Sequence, residues 1–380
     1  MQCIFACEEF PKKVCKTIFL AGPTPRNMTT QSWRPKVLEI LKANNYDGSV
    51  FIPEPRNGLF TEDYTEQINW ELEGLKRADI IIFWIPRSIA ELPGFTTNVE
   101  FGYWIQTGKC ILGYPSSAEK MRYLDQLATK HDVPIHKDLK GIVNHAIDQL
   151  GQGSIRFEGE CNIPLHVWNT ISFQNWWQSQ KNVGNKLIDA NIRFVNFVKK
   201  NVLFAWIADV SIYNASEERI KSNEFVFSRS DLFSCLLYFP ESDLMNTKIV
   251  LVKEFRSSSQ SKDSYTWELV GGSSISKSDP VQIISSEVEE EIGLKLNLDR
   301  LKYVDSRQMA GTFAAHKNHL YSYQLTHEEL DIIESSINEV FGVIEDSELT
   351  YIVIKSFHDI LNDNLMDWSN IGMISKGLSI

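Results

Sequence analysis

The sequence predicts two domains of different class: an α/β domain built on a parallel sheet, then an α+β domain, with a helical connector between them. Three observations predict this. From residue 17 to residue 114 short apolar runs alternate with helical patterns, and strands alternating with helices form a parallel sheet covered on both faces. A Gly-Gln-Gly break at 151–153 then opens a tryptophan-rich stretch. From about Phe204 the pattern changes to short strands with one strongly marked helix. The domains are expected at 1–150 and 204–380, with the connector at 151–203.

A chain of 380 residues with 43% hydrophobic and 23% charged content is ordinary for globular protein and has room for two cores. No apolar run approaches the roughly 20 residues needed to span a bilayer. The N-terminus Met1 to Glu9 lacks a basic start and a long apolar stretch, so no membrane partner is expected and the setting read from the sequence is the cytoplasm. Six cysteines form no Cys-x-x-Cys pair, which favours reduced thiols over disulfides or zinc. A net charge of −11 disfavours a nucleic-acid partner, whose phosphates need clustered Lys and Arg.

Taken in order, Thr17 to Ala21 is a strand, Ser32 to Asn44 a helix, Val50 to Pro53 a strand and Tyr64 to Ala78 a helix. Ile80 to Ile85 is a strand, Thr97 to Gly108 a helix and Cys110 to Tyr114 a strand. A Rossmann- or flavodoxin-like sheet of this kind binds ligands outside the carboxyl ends of its strands. Those ends carry Gly22-Pro23-Thr24-Pro25-Arg26, Pro53-Glu54-Pro55-Arg56 and the segment from Pro86 to Asn98. No Gly-x-Gly-x-x-Gly follows the first strand, which argues against an ordinary dinucleotide site. His136 to Leu150 closes the domain with a helical stripe of Leu139, Ile142, Val143, Ala146, Ile147 and Leu150. Phe173 to Lys200 reads as helical, with Trp176 and Trp177 serving packing rather than base stacking.

Two acidic residues stand out. Glu100 falls near the start of a helix that Thr97 or Thr96 could cap, where the positive end of the helix dipole keeps a carboxylate ionised. Glu71 flanks a helical stripe of Ile68, Leu72 and Leu75, expected to be buried. On spacing alone, Glu71 reads as a surface charge and Glu100 as a helix N-terminal acid. Resemblance changes that reading. Ala21 to Arg26, Ser32-Trp33-Arg34, Trp70-Glu71, Ala78 to Arg87 and Thr96 to Gly102 together resemble the nucleoside 2-deoxyribosyltransferase-like family over about the first 115 residues. The resemblance implies that Glu100 is the nucleophile at the anomeric carbon of a sugar and Glu71 its acidic helper, following the two-carboxylate logic of glycoside cleavage. It further points to Gly22, Arg26, Arg87, Thr97 and Asn98 as substrate-binding residues. Arg26, Arg56 and Arg87 could accommodate a phosphate. Two departures leave base identity and the choice between transfer and hydrolysis open: Phe19 stands where transferases have tyrosine, and their base-binding acid is missing near Gly94.

In the second half, strands are expected at Ala205 to Tyr213, Glu224 to Ser228, Phe233 to Phe239, Lys248 to Phe255, Thr266 to Val270, Lys302 to Arg307, His319 to Leu325 and Thr350 to Lys355. The marked helix starts at Asp279 as N-cap and Pro280, and stops at Gly293. Glu287, Glu290 and Glu291 stand at i, i+3 and i+4 and so share one face, where they could hold a hard cation. Trp267 to Gly272 followed by Ser286 to Leu294 resembles the Nudix signature, and Ile249 to Arg256 before it resembles the ADP-ribose pyrophosphatase branch. That resemblance implies Mg²⁺ or Mn²⁺ held by Glu287, Glu290, Glu291 and Gly271, catalysis through Glu290 and a late base such as Glu345, and substrate contacts from Arg256 and Glu268. Ser278 and Ser286 replace the pattern's glutamate and arginine. A capped final helix, Asn364 to Ile374, is expected to pack on the core.

Together these readings describe a nucleotide-processing enzyme acting on a small-molecule nucleotide or nucleoside diphosphate derivative, and one that forms a homo-oligomer. One domain cleaves or transfers an N-glycosidic bond and the other hydrolyses a diphosphate, with NAD and ADP-ribose fitting both steps. The alternatives are a single Nudix activity regulated by the first domain, and a catalytically silent nucleotide sensor.

Overall fold

The computed structural model describes residues 1–25, 30–58, 64–199, 202–273, 279–342 and 349–379. It divides into two units, Met1–Ser228 and Arg229–Ile380. In the first, β1 (Gln2–Phe5) and β2 (Lys13–Val14) precede β3 (Thr17–Ala21), α1 (Arg34–Ala43), β4 (Ser49–Ile52), α2 (Tyr64–Arg77) and β5 (Ile80–Trp84). Then come α3 (Phe95–Trp104), β6 (Cys110–Gly113), α4 (Arg122–Lys130), β7 (Ile135–His136) and α5 (Leu139–Leu150).

Six strands pair in the order β1-β4-β3-β5-β6-β7, and every pairing is parallel. Leaving aside edge strand β1, this is the flavodoxin-like order, with the topological switch between β3 and β5. Every residue of β3, β4, β5 and β6 is buried, which is why these strands read as continuous apolar runs rather than alternating ones. The edge strands β1 and β7 are short and only partly buried. They give no such run, and the sequence reading missed both.

The connector differs from expectation. β8 (Arg156–Phe157), α6 (Leu165–Trp168) and α7 (Ile171–Asn182) lead into β9 (Lys186–Lys199), β10 (Val202–Asn214) and β11 (Arg219–Arg229), which form a three-stranded sheet in which β9 and β10 pair antiparallel. Residues 186–199 are thus a strand rather than a helix. Their β-branched and aromatic side chains Ile188, Ile192, Phe194 and Val198 suit a pleated strand, and β10 provides a partner along the whole length. Trp206 of β10 is fully buried against Phe173 and Trp176 of α7, so the first unit runs past residue 203. Asp79 anchors the segment after α5: it accepts hydrogen bonds from Thr17 N at 2.8 Å, Leu165 N at 2.8 Å and the fully buried Arg156. Removing one partner of such a buried pair costs roughly 3–5 kcal/mol.

The second unit holds β12 (Leu232–Phe239), β13 (Lys248–Phe255), β14 (Tyr265–Glu268), β15 (Val270–Ser273), α8 (Pro280–Ile292), β16 (Lys302–Gln308) and β17 (Lys317–Gln324). It continues with α9 (His327–Ser335), β18 (Val340–Phe341), β19 (Thr350–Ser356), α10 (Phe357–Asn362) and α11 (Trp368–Leu378). The sheet order is β16-β17-β12-β13-β19-β18, with β14 paired to β13 and β15 to β12. Only β12 with β17 is parallel among the described pairs, so the sheet is mixed and mostly antiparallel. One face packs Ile284, Val288 and Ile292 of α8 against Cys235, Leu237 and Val250. The other packs Ile374 of α11 and Phe357 of α10 against Leu236, Ile249 and Leu251. α8 begins and ends as its sequence indicates: Asp279 accepts from Val281 N at 3.1 Å, and Gly293 closes it with φ 71°. Among the described residues no helix is long and apolar enough to cross a membrane.

Candidate functional site

A cavity of about 710 Å³ opens in the first unit at the carboxyl ends of the central strands. Phe19 and Ala21 of β3, Gly22 to Thr24 after it, Pro53 after β4, Gln67 and Glu71 of α2, and Glu91 to Thr97 with Glu100 line it. This is where a doubly wound sheet places its ligands.

Arg34 holds the Gly22 to Thr24 part of this lining in place. The buried guanidinium donates to Leu20 O at 3.0 Å, Gly22 O at 2.8 Å and Thr24 Oγ1 at 3.0 Å, and pairs with Glu54 at 2.5 Å. Ser32 Oγ donates to the same carboxylate at 2.9 Å, and Trp33 Nε1 donates to Pro23 O at 3.2 Å. The strand end and the turn after it are therefore clamped by one cation. Gly22 is required there, since a Cβ would lie 2.2 Å from Trp84 O and 2.9 Å from the Trp33 ring.

Glu71 and Glu100 enter the same cavity from α2 and α3. Gln67 Nε2 donates to Glu71 Oε1 at 2.8 Å. Burial raises the Glu71 carboxyl above its usual range, while the Gln67 hydrogen bond and Arg34 pull it back. Burial, and then the charge of Glu71, push Glu100 up to about 8, with Arg34 opposing. This corrects the expectation of a carboxylate kept ionised by a helix end. α3 starts at Phe95 with Gly94, at φ 64°, as its N-cap and no side-chain cap, so Glu100 sits in the second turn, beyond the first turn where the dipole acts. Desolvation wins. The pair thus shares protons over the neutral range, as coupled carboxyls do, and can supply one acid and one base.

The other expected substrate contacts divide. Gly22 and Thr97 line the cavity. Asn98 Oδ1 instead accepts from Arg87, which also donates to Lys120 O at 3.2 Å, so these two side chains hold each other. Arg56 is engaged with Glu8 at 2.6 Å. Arg26 lies outside the described residues. Gln67, Arg34 and Glu54 were missed as contributors, although Ser32-Trp33-Arg34 was a visible motif. The α2 stripe is also corrected in part: Leu75 is buried as expected, but Ile68 and Leu72 are 41% and 51% exposed, and Gln67, Trp70 and Gly74 are buried instead. Turning Gln67 inward carries Glu71, one helical turn on, toward the cavity.

In the second unit Gly271 N donates to Glu291 Oε2 at 3.1 Å. Burial, with the charges of Glu287, Glu254 and Glu268, pushes the Glu291 carboxyl up to about 8 against that hydrogen bond. Glu287 lies against β15: a Cβ on Gly272 would come 2.0 Å from its Oε1. Glu290 is exposed. Arg256 grips Glu268 with both carboxylate oxygens, at 2.9 and 2.8 Å, and reaches Glu254 at 2.8 Å. The expected substrate contacts Arg256 and Glu268 therefore bind each other. Among the described residues no three His, Cys, Asp or Glu side chains are grouped to hold a metal ion, so the trio Glu287, Glu290 and Glu291 does not converge as its helical spacing suggested. Ser286 is exposed on α8, while Ser278, Glu345, Asp346 and Glu348 lie outside the described residues.

Compared with known proteins, residues 15–118 match the family model described as nucleoside 2-deoxyribosyltransferase like. No curated protein matches the chain. The matched segment runs from β3 through β6 and holds Arg34, Glu71 and Glu100. Residues 15–118 of this chain are a nucleoside 2-deoxyribosyltransferase-like domain.

Proposed function

We propose that the first unit cleaves or transfers the N-glycosidic bond of a nucleoside or nucleotide through Glu100 and Glu71. The observation that carries this reading is the meeting of two carboxyls with raised affinity for protons in one cavity of the matched domain. The one proton between them rests on Glu100, the carboxyl raised further; its transfer to Glu71 leaves Glu100 ionised to attack the anomeric carbon as Glu71 gives that proton to the departing base. The carbon–nitrogen bond breaks, a glycosyl ester on Glu100 forms, and water or a second base then takes the sugar. No metal is needed, because the acid, the nucleophile and the Arg34 field are all supplied by the chain. The test is a nucleoside and nucleotide panel in EDTA with products identified by mass. Release of free base by the parent and its loss in Glu100→Ala support the reading. Equal release by both makes the first unit a binding module.

For the second unit we carry a Nudix-like diphosphate hydrolase as a proposal. Its support is the packing of Glu287 and Glu291 of α8 against Gly271 and Gly272, beside Glu254 and Glu268. An all-oxygen donor set of like charges suits a hard ion such as Mg²⁺ or Mn²⁺, which when bound polarises phosphate oxygens. Among the described residues no three such ligands are grouped. A substrate such as NAD would serve both units in turn, since loss of nicotinamide leaves ADP-ribose for the second. Turnover of ADP-ribose that requires added Mg²⁺ separates this reading from a silent sensor.

Self-association fits the surface of α3. Phe95, Val99 and Tyr103 recur at i, i+4 and i+8 and are each 72% exposed, an apolar stripe beside the cavity that a second copy would cover.

A further inference from the structure

The final helix packs on the core through Ile374 as expected, while Trp368 at its start is 88% exposed. It stands on α11 in line with Gly372 and Lys376, at i, i+4 and i+8, and all three line a cavity of about 330 Å³ between that helix and β16–β17. A Cβ on Gly372 would meet nothing within 4 Å, so the glycine leaves a gap in the helix face. The sheet side presents Asn318, which is 5% exposed. Its Nδ2 donates to Ser234 Oγ at 2.8 Å, while its Oδ1 has no hydrogen-bond partner among the described residues. A buried acceptor left without a donor is costly, and a ligand N–H removes that cost. Arg307, paired with Asp305 at 2.9 Å, and Lys376 place two cations at the rim.

We propose that this groove binds a planar, amine-bearing heteroaromatic carrying an anionic group, the chemistry of a purine nucleoside monophosphate. The indole of Trp368 offers a stacking face, the gap at Gly372 admits the ring, Asn318 Oδ1 accepts from the ring amine, and Lys376 with Arg307 meets the phosphate. The cavity lies at the low end of small-molecule sites, which suits a mononucleotide rather than a dinucleotide. Asn318 and Leu320 belong to the sheet face packed by α11, opposite the face packed by α8. The groove is therefore separate from the carboxylates of α8, and it stands or falls independently of either proposed reaction.

The test is calorimetric titration of the full chain with AMP in EDTA, where binding is read without turnover. Gly372→Leu fills the gap at an exposed position and is expected to abolish the binding event while the melting temperature holds. Trp368→Ala removes an exposed side chain and should weaken AMP at least tenfold. Lys376→Gln should weaken AMP tenfold but adenosine less than twofold. Failure of the parent to bind AMP, or an affinity left unchanged by either Gly372→Leu or Trp368→Ala, overturns the proposal. Loss of a dimer in Trp368→Ala with AMP affinity intact would assign the face to a second copy instead.

Discussion

Replacing Glu100 by glutamine should make the first unit more stable at alkaline pH and leave it nearly unchanged in mild acid. The Glu100 carboxyl holds its proton up to about pH 8, against an ordinary value of 4.5. Between those two values the folded chain keeps a proton that the unfolded chain releases, so the parent loses stability as pH rises, by about 1.4 kcal/mol per pH unit. The whole loss is on the order of 5 kcal/mol and is complete above pH 8. Glutamine has nearly the same shape and does not titrate. The stability of Glu100→Gln relative to the parent should thus grow by on the order of 4 kcal/mol between pH 5 and pH 8.5. Urea unfolding of both proteins at the two pH values measures it, taking the transition that the substitution moves. A gap that stays constant with pH would show that Glu100 titrates as it does in water, and the shared, desolvated carboxyl pair would be wrong.

Base release should fall about tenfold per pH unit above pH 8, because the pair then loses the single proton that the two-role mechanism needs, and initial rates across pH 6 to 10 check this. Arg34→Ala should cost roughly 3–5 kcal/mol and abolish base release, since Leu20 O, Gly22 O and Glu54 lose their shared partner; calorimetric melting and the base-release assay read the two effects. Glu291→Gln should keep its acceptor for Gly271 N and hold the fold, while Mg²⁺-dependent cleavage of ADP-ribose falls by orders of magnitude. Unchanged ADP-ribose turnover in that variant would remove Glu291 from the proposed site.

Much of the first unit was legible because its central strands are buried on both faces. Phe19, Phe51, Ile81 and Leu112 belong to apolar runs that alternate with helices, and that rhythm carries the parallel sheet. α8 was legible through its caps, Asp279 and Gly293. The segment 186–199 was not. A stretch containing Ile188, Ile192, Phe194 and Val198 among polar residues fits neither period cleanly, and the partner that makes it a strand, β10, lies beyond the segment itself. The outward turn of Trp368 was not legible either: the capped start of the last helix does not fix its rotation, which Ile374 and Asn370 set by their burial. In the site, Glu71 and Glu100 were visible through their motifs, whereas their electrostatics were not. Arg34 entered only as part of the Ser32-Trp33-Arg34 motif, and the fold shows it buried among backbone carbonyls. The Glu100 proton affinity arises from enclosure and from Glu71, separated by 29 residues of sequence, and local spacing does not encode that encounter.

The central claim is that Glu100 forms a bond to the sugar. Acid-quenched incubation with a substrate found in the nucleoside and nucleotide panel, followed by peptide mass mapping, tests it most directly. The account predicts that the peptide containing Glu100 gains the mass of the glycosyl group in step with the first burst of free base, and that Glu100→Ala shows neither the adduct nor the burst. Free base released at the parent rate by Glu100→Ala, with the glycosyl group found only on water, would contradict it.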